Sequence, residues 1–219
     1  MTSTRQSYNQ ELEALRQKIL EMGTCVERAI DQAVASLTLQ DLAMARIVMD
    51  GDDDIDNMES DIEDKCIVLI ARQQPLARDL RIISTGLKIT TDLERVGDHA
   101  FDIAKITLEI AKQPLIKPLV DIPRMSAMAQ KMLNDSLVAY INLDITLAEQ
   151  VCADDDAVDN IYSQTLRELL TYMMEDPTTI KQATQLLFVA RYLERVADHA
   201  TNIAEWVIYL ATGQRMRKN

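Results

Sequence analysis

The chain has 219 residues, enough to bury a sizeable core in one elongated domain or in two of about 100 residues. Five Gly, five Pro and 4% aromatic residues leave little turn chemistry for a β-sheet, while plentiful Met, Leu, Ala, Glu and Gln is the usage of helices. With 35 Asp and Glu against 23 Lys and Arg, the formal charge of −12 repels phosphate backbones and anionic headgroups and argues against direct nucleic-acid binding.

Met1 to Gln10 is polar and carries no apolar leader. The periodicity predicts a first helix over 6–39 and a second over 41–73, with Asp41 at the turn between them. Along the second, Val48, Ile55, Met58, Ile62, Cys66 and Leu69 form one apolar stripe, and Gly51 weakens it by about 1 kcal/mol relative to Ala. The longest apolar run, Cys66 to Ala71, is too short to span a bilayer, so the expectation is a soluble, cytoplasmic chain with no transmembrane segment. Gln74-Pro75 marks the next turn, before a helix over 77–111 whose stripe is Leu93, Val96, Ala100, Ile103 and Ile110.

Residues 113–121, with Pro114 and Pro118, form a linker. Three more helices are predicted at 122–142, 144–174 and 177–212, with Asp121, Asp144 and Asp176 as N-caps and Pro123 and Pro177 in first turns. Met125, Met128 and Met132 read as core filler. The chain ends on a short basic tail, Arg215, Arg217 and Lys218, which reads as a solvated terminus. Cys25, Cys66 and Cys152 are odd in number and far apart, with no paired spacing, and read as reduced thiols.

One segment occurs twice: Leu-Glu-Arg-Val-x-Asp-His-Ala-x-x-Ile-Ala, at 93–104 and at 193–204. Upstream, Asp41 and Asp56-Asn57 match Asp144 and Asp159-Asn160, so the offset of 103 residues there shrinks to 100 later. The sequence therefore predicts an all-α protein of two tandem antiparallel three-helix bundles, 1–112 and 122–219, joined end to end by the 113–121 linker.

The repeated segment also carries acids at i, i+4 and i+8. Glu94, Asp98 and Asp102 form a stripe nearly opposite the apolar one, predicted to face outward. Glu194, Asp198 and Asn202 repeat it with one acid replaced by an amide. Asp52 and Asp56, with their counterparts Asp155 and Asp159, make further i, i+4 pairs; Glu27 and Asp31 make another, but their counterparts are Gln130 and Asn134. Two readings stand. One is a solvated acidic face. The other is a set of hard-cation sites, because like charges at i, i+4 cost a helix about 0.2–0.5 kcal/mol each and the interleaved bases, Lys105 and Arg191, are only a partial remedy. All-oxygen ligands suit Mg, Ca, Mn or iron.

His99 and His199, the only histidines, fall between the acidic and apolar stripes and read as packed rings rather than ligands. No nucleophile constellation, Gly-rich phosphate loop, thiol pair or Glu-x-x-His metal pair occurs, so no catalytic residue is assigned.

Leu93–Ala100, its copy at 193–200, Gln74-Pro-Leu-Ala-Arg-Asp-Leu-Arg81, Asp52-x-x-x-Asp56 and Leu169-Leu-Thr-Tyr-Met-Met-Glu-Asp176 together resemble the PhoU family of bacterial phosphate-uptake and phosphate-regulon regulators, over nearly the whole chain. The resemblance implies two repeated three-helix bundles. It implies surface metal sites, divalent or ferric and including iron clusters, at Glu94, Asp98 and Asp102, at Glu194, Asp198 and Asn202, and at Asp52, Asp56, Asp155 and Asp159. Asn202 departs from the acidic pattern, which predicts unequal sites. The resemblance also implies a non-enzymatic negative regulator that couples the ATPase subunit of a phosphate ABC transporter to a phosphate-sensing histidine kinase. A homodimer is expected beside it. A metal-storage or metal-dependent enzyme and a metal-free helical adaptor are the alternatives.

Overall fold

The computed structural model describes the backbone of residues 2–215 and the side chains of residues 6–215, so Arg217 and Lys218 of the basic tail lie outside the described residues. The chain is all-α, with no strand among the described residues. Helix α1 (Thr2–Leu39) ends at Gln40, whose φ of 54° turns the chain, and Asp41 then caps α2 (Leu42–Asp50) by accepting from the Ala43 and Met44 N–H groups. The predicted 41–73 helix is interrupted at Gly51, and α3 (Asp52–Gln73) follows it. Gln74, at φ 43°, leads through Pro75 and Leu76 into α4 (Ala77–Ile110).

In the second half, α5 (Asp121–Asn142) starts one residue earlier than predicted. Asp121 is its first residue and not its cap, since Val120 holds that place without a side-chain bond. Asp144 caps α6 (Ile145–Glu175) through the Leu147 N–H, and Leu143, at φ 51°, matches Gln40 at the 103-residue offset. Asp176 accepts from the Thr178 N–H and caps a single 3-10 turn, Pro177–Thr179, before α7 (Ile180–Thr212). The turn forms because Pro177 suits a first helical position and Thr179 Oγ1 donates back to the Tyr172 carbonyl.

The two bundles are not end to end. Helix α7 lies antiparallel along α4, with Gln185 donating to Glu109 at one end (2.8 Å) and Asn202 donating to Asp92 at the other (3.2 Å). Helix α5 runs antiparallel beside α1, where a Cβ on Gly23 would come 2.5 Å from Leu137 Cδ1. A local two-fold therefore relates the repeats, with α4 and α7 at the centre, α1 beside α5, and α3 and α6 on the flanks. The reason lies in α4 and α7 themselves: each is buried along most of its length, from Ile83 to Ile110 in one and from Gln182 to Leu210 in the other, so each has apolar surface left over for its counterpart beyond what its own bundle covers. One continuous apolar core runs through both repeats.

The linker is docked rather than free. Gln182 accepts from the Ile116 N–H and donates to the Pro114 carbonyl, and Lys117 is buried against Glu168.

Candidate functional site

The acidic stripe of α4 does not face open water. Glu94, Asp98 and Asp102 are each half-buried, because α3 packs alongside and brings its own acids to the same groove. Asp52 sits near Asp56, Asp98 and Asp102, and Glu94 sits near Asp98, Glu59 and Asp56. Burial comes first and mutual repulsion second in pushing the Glu94 carboxyl up to about 7 and the Asp52 carboxyl up to about 6. Burial likewise raises Asp102 and Glu59. Glu59 was not singled out in the sequence, although it stands three residues past Asp56 on the same helical face.

One base crosses this groove. Arg95 Nη1 donates to Asp98 Oδ2 at 2.9 Å, and its Nε lies 3.3 Å from Glu94 Oε2 without hydrogen-bond alignment. Glu94 Oε2 is buried with no hydrogen-bond partner. Spacing assigns this neutralising role to Lys105 and Arg191, and Lys105 does act on Asp102; Arg95, a helical turn before Asp98, is the base that spacing could also have pointed to.

The second groove gathers fewer acids. Glu194 is buried, with Asp198 and Asp159 as its acidic neighbours, and its carboxyl is raised chiefly by burial and then by Asp198. Arg191 donates to Glu194 Oε1, while Oε2 has no partner. Asp155 is buried, whereas Asp56 and Asp159 are exposed.

The three amides that replace acids in the second repeat, Asn202, Gln130 and Asn134, lie along the seam between repeats. Asn202 is directed at Asp92 of the other repeat, and Asn134 donates to Glu27 of the other repeat at 3.4 Å. Asp31 and Gln130, the symmetry mates of that second pair, line one groove between α1 and α5. At these places an amide stands opposite an acid across the seam, where an acid in both copies would set two carboxylates together.

The histidines belong to the same seam. The His199 Nδ1–H donates to Asp92 Oδ1 at 2.9 Å, with both side chains largely buried. Where Asp92 stands in the first repeat, the second carries Tyr192, which bonds Asp102 and stacks on His99 with ring centroids 5.4 Å apart. His99 lies 5.7 Å from the His199 ring, and neither of its nitrogens has a partner. Burial, then His199, Arg195, Arg95 and Arg191, push the His99 imidazole down to about 4, so it is neutral near pH 7. The signal for this arrangement was present in the sequence, in the one change from Asp92 to Tyr192 a single residue before the duplicated segment.

The donor chemistry of the grooves fits a hard cation: the ligands are oxygens, and one carboxylate oxygen in each groove, on Glu94 and on Glu194, is buried without a hydrogen bond, that of Glu94 having only the Arg95 charge beside it. Among the described residues, no three His, Cys, Asp or Glu side chains stand close enough together to hold one ion. Arg95 and Arg191 take the place of that charge, and an ion would compete with their guanidinium groups.

The PhoU domain family matches the chain twice, over residues 19–107 and 122–207. The chain is 43% identical to the phosphate-specific transport system accessory protein PhoU homolog of Clostridium acetobutylicum, over 99% of each chain. It is 47% identical to the homolog of the same description from Aquifex aeolicus, over 93% of this chain and 92% of that one. Among solved structures, PhoU from Pseudomonas aeruginosa superposes with a TM-score of 0.91 at 40% identity, covering 94% of this chain and all of that one. The phosphate transport system regulatory protein PhoU from Streptococcus pneumoniae gives 0.89 at 31% identity, over 96% of this chain. Two copies of one three-helix unit, matched along nearly their whole length, place the chain in the PhoU family.

Proposed function

We propose that the chain is a cytoplasmic, non-enzymatic regulator of phosphate transport. It keeps the phosphate-starvation response off when phosphate is ample, by docking on the ATPase subunit of a phosphate ABC transporter and on a phosphate-sensing histidine kinase. The observation that carries this reading is likeness along 99% of both chains to a relative named as an accessory protein of phosphate-specific transport. No described helix is long and apolar enough to cross a membrane, which agrees with an accessory role beside a transporter. A homodimer is part of the proposal.

The acidic grooves are proposed to hold divalent or ferric ions, iron clusters among them. Asp52, Asp56, Glu94, Asp98 and Asp102 would serve the first repeat, and Asp155, Asp159, Glu194 and Asp198 the second. Asn202, whose Nδ2 donates to Asp92, would add only its Oδ1 to the second set. A bound cation would supply the positive charge that lets neighbouring carboxylates stay ionised together near neutral pH. A metal-free adaptor is the second reading, favoured by the arginines already paired in both grooves.

Deleting the gene is expected to raise phosphate-starvation gene expression in phosphate-rich medium; unchanged expression would sink the regulatory reading. A pull-down with the transporter ATPase tests the partner. Protein purified without chelators is expected to carry metal that Asp98→Ala removes to a greater extent than Asp198→Ala, because the first groove gathers more acids. Metal-free protein that still represses would leave the adaptor.

A further inference from the structure

We propose that the α3–α4 turn, at one end of the molecule, docks directly on an anionic lipid surface through Leu76 and the apolar side chains around it, with Arg72 and Arg78 on either side. This goes beyond the regulatory reading and does not depend on it, since it concerns lipid alone.

In a chain with 35 acids, the stretch from Lys65 to Arg78 has none. Within it Leu76 is 82% exposed at the apex of the turn, and Ile67, Val68 and Ile70 are exposed on the last turns of α3. Arg72 and Arg78 flank the apex and are exposed as well. The end of α7 arrives at the same place: a Cβ on Gly213 would lie 3.1 Å from Arg81 Nη1. That helix end is also free of acids from Trp206 to Arg215, whose guanidinium lies over the Trp206 and Tyr209 rings. The acids nearest the apex are Asp79, half-buried beside Tyr8, and Glu11, bonded by Gln73, with Glu63 and Asp64 further back along α3.

The local two-fold supplies a comparison within one molecule. The equivalent turn at the opposite end, between α6 and α7, exposes Leu170, Met174 and Ile180, yet among its bases Arg167 and Lys181 it carries Glu168, which Lys117 pairs, and Glu175 and Asp176 at its apex. Apolar exposure is common to both ends, and charge distinguishes them. Only the first end is complementary to anionic headgroups.

The net charge of −12 does not cancel this. Glu94 stands 17 residues past Ala77 on α4, about 25 Å along the helix axis at 1.5 Å per residue, and the acidic groove begins there. Charges beyond about 8–10 Å are largely screened at physiological ionic strength. A bilayer touching the turn therefore meets arginines and leucine before it meets the groove.

The test is co-sedimentation of the full chain with vesicles of phosphatidylglycerol and phosphatidylcholine, against vesicles of phosphatidylcholine alone. Binding is expected only to the anionic vesicles, and loss of it in about 0.5 M salt. The double variant Arg72→Gln, Arg78→Gln should lower partition about 25-fold, and Leu76→Ser about fivefold or more. Met174→Ser at the opposite end should change nothing. All four side chains are exposed, so unchanged helicity and thermal midpoint serve as the folding check. Failure to bind anionic vesicles, equal binding to neutral ones, or equal weakening by Met174→Ser would each overturn the proposal. So would self-association that the arginine variants abolish without any vesicle binding, which would give the turn to a second copy of the chain.

Discussion

Asn202 shows how one atom's identity divides a structural demand from a chemical one. Its amide donates to Asp92, which also accepts from His199. Asn202→Asp would set a second carboxylate against Asp92, and at about 4 Å the repulsion is about 1–4 kcal/mol between water-like and partly screened surroundings. Urea denaturation should find a loss in that range that shrinks with added salt; no loss would mean that the seam pair is not held as described. Asp92→Ala should cost about 1–3 kcal/mol, because it strands the His199 donor in a buried place. The grooves make a prediction in pH. The folded Glu94 carboxyl, at about 7, lies above its ordinary value of 4.5, so the native state takes up a proton that the unfolded chain does not, and stability rises as pH falls through 7. His99 acts in the opposite sense below 6.5, where the unfolded imidazole is protonated and the folded one, at about 4, is not. Thermal midpoints should therefore rise from pH 8 to about 6.5, and Glu94→Gln should flatten the rise.

Among the elements, the break between α2 and α3 is the clearest difference between repeats, since the corresponding stretch of α6 is continuous. Gly51 has φ −86° and ψ −5°, values open to any residue, and its N–H still bonds the Ile47 and Val48 carbonyls. The interruption is thus a matter of weak propensity rather than of a required turn. An alanine Cβ there would lie 3.3 Å from the Ile47 carbonyl oxygen, a tight contact, so Gly51→Ala should stabilise by at most about 0.5–1 kcal/mol and lift the melting temperature by no more than about 1–4 °C. A drop would mean that the break is built into the packing. Helix positions were legible because caps and prolines act locally: Asp41, Asp144 and Asp176 each bond backbone groups within three residues. Asp121 misled for the same reason, as the docked linker ahead of it, not its own side chain, fixes where α5 begins.

At the scale of the whole molecule, one core crosses both repeats, so the chain should unfold in a single calorimetric transition with equal calorimetric and van't Hoff enthalpies. Two resolved transitions would show bundles that are stable apart. The sequence by itself determined the helical class, the two repeats, the apolar stripe from Leu93 to Ile103 and the acids spaced along the same helices, because periodicity and duplication are properties of one chain read alone. Tertiary structure decided what those acids and amides do. It turned an outward acidic stripe into grooves shared with α3 and α6, crossed by Arg95 and Arg191. It also made Asn202 and Asn134 partners of Asp92 and Glu27. Those meetings depend on α4 and α7 lying side by side, and the pairing of residues about a hundred positions apart rests on buried surfaces that spacing within one helix cannot express.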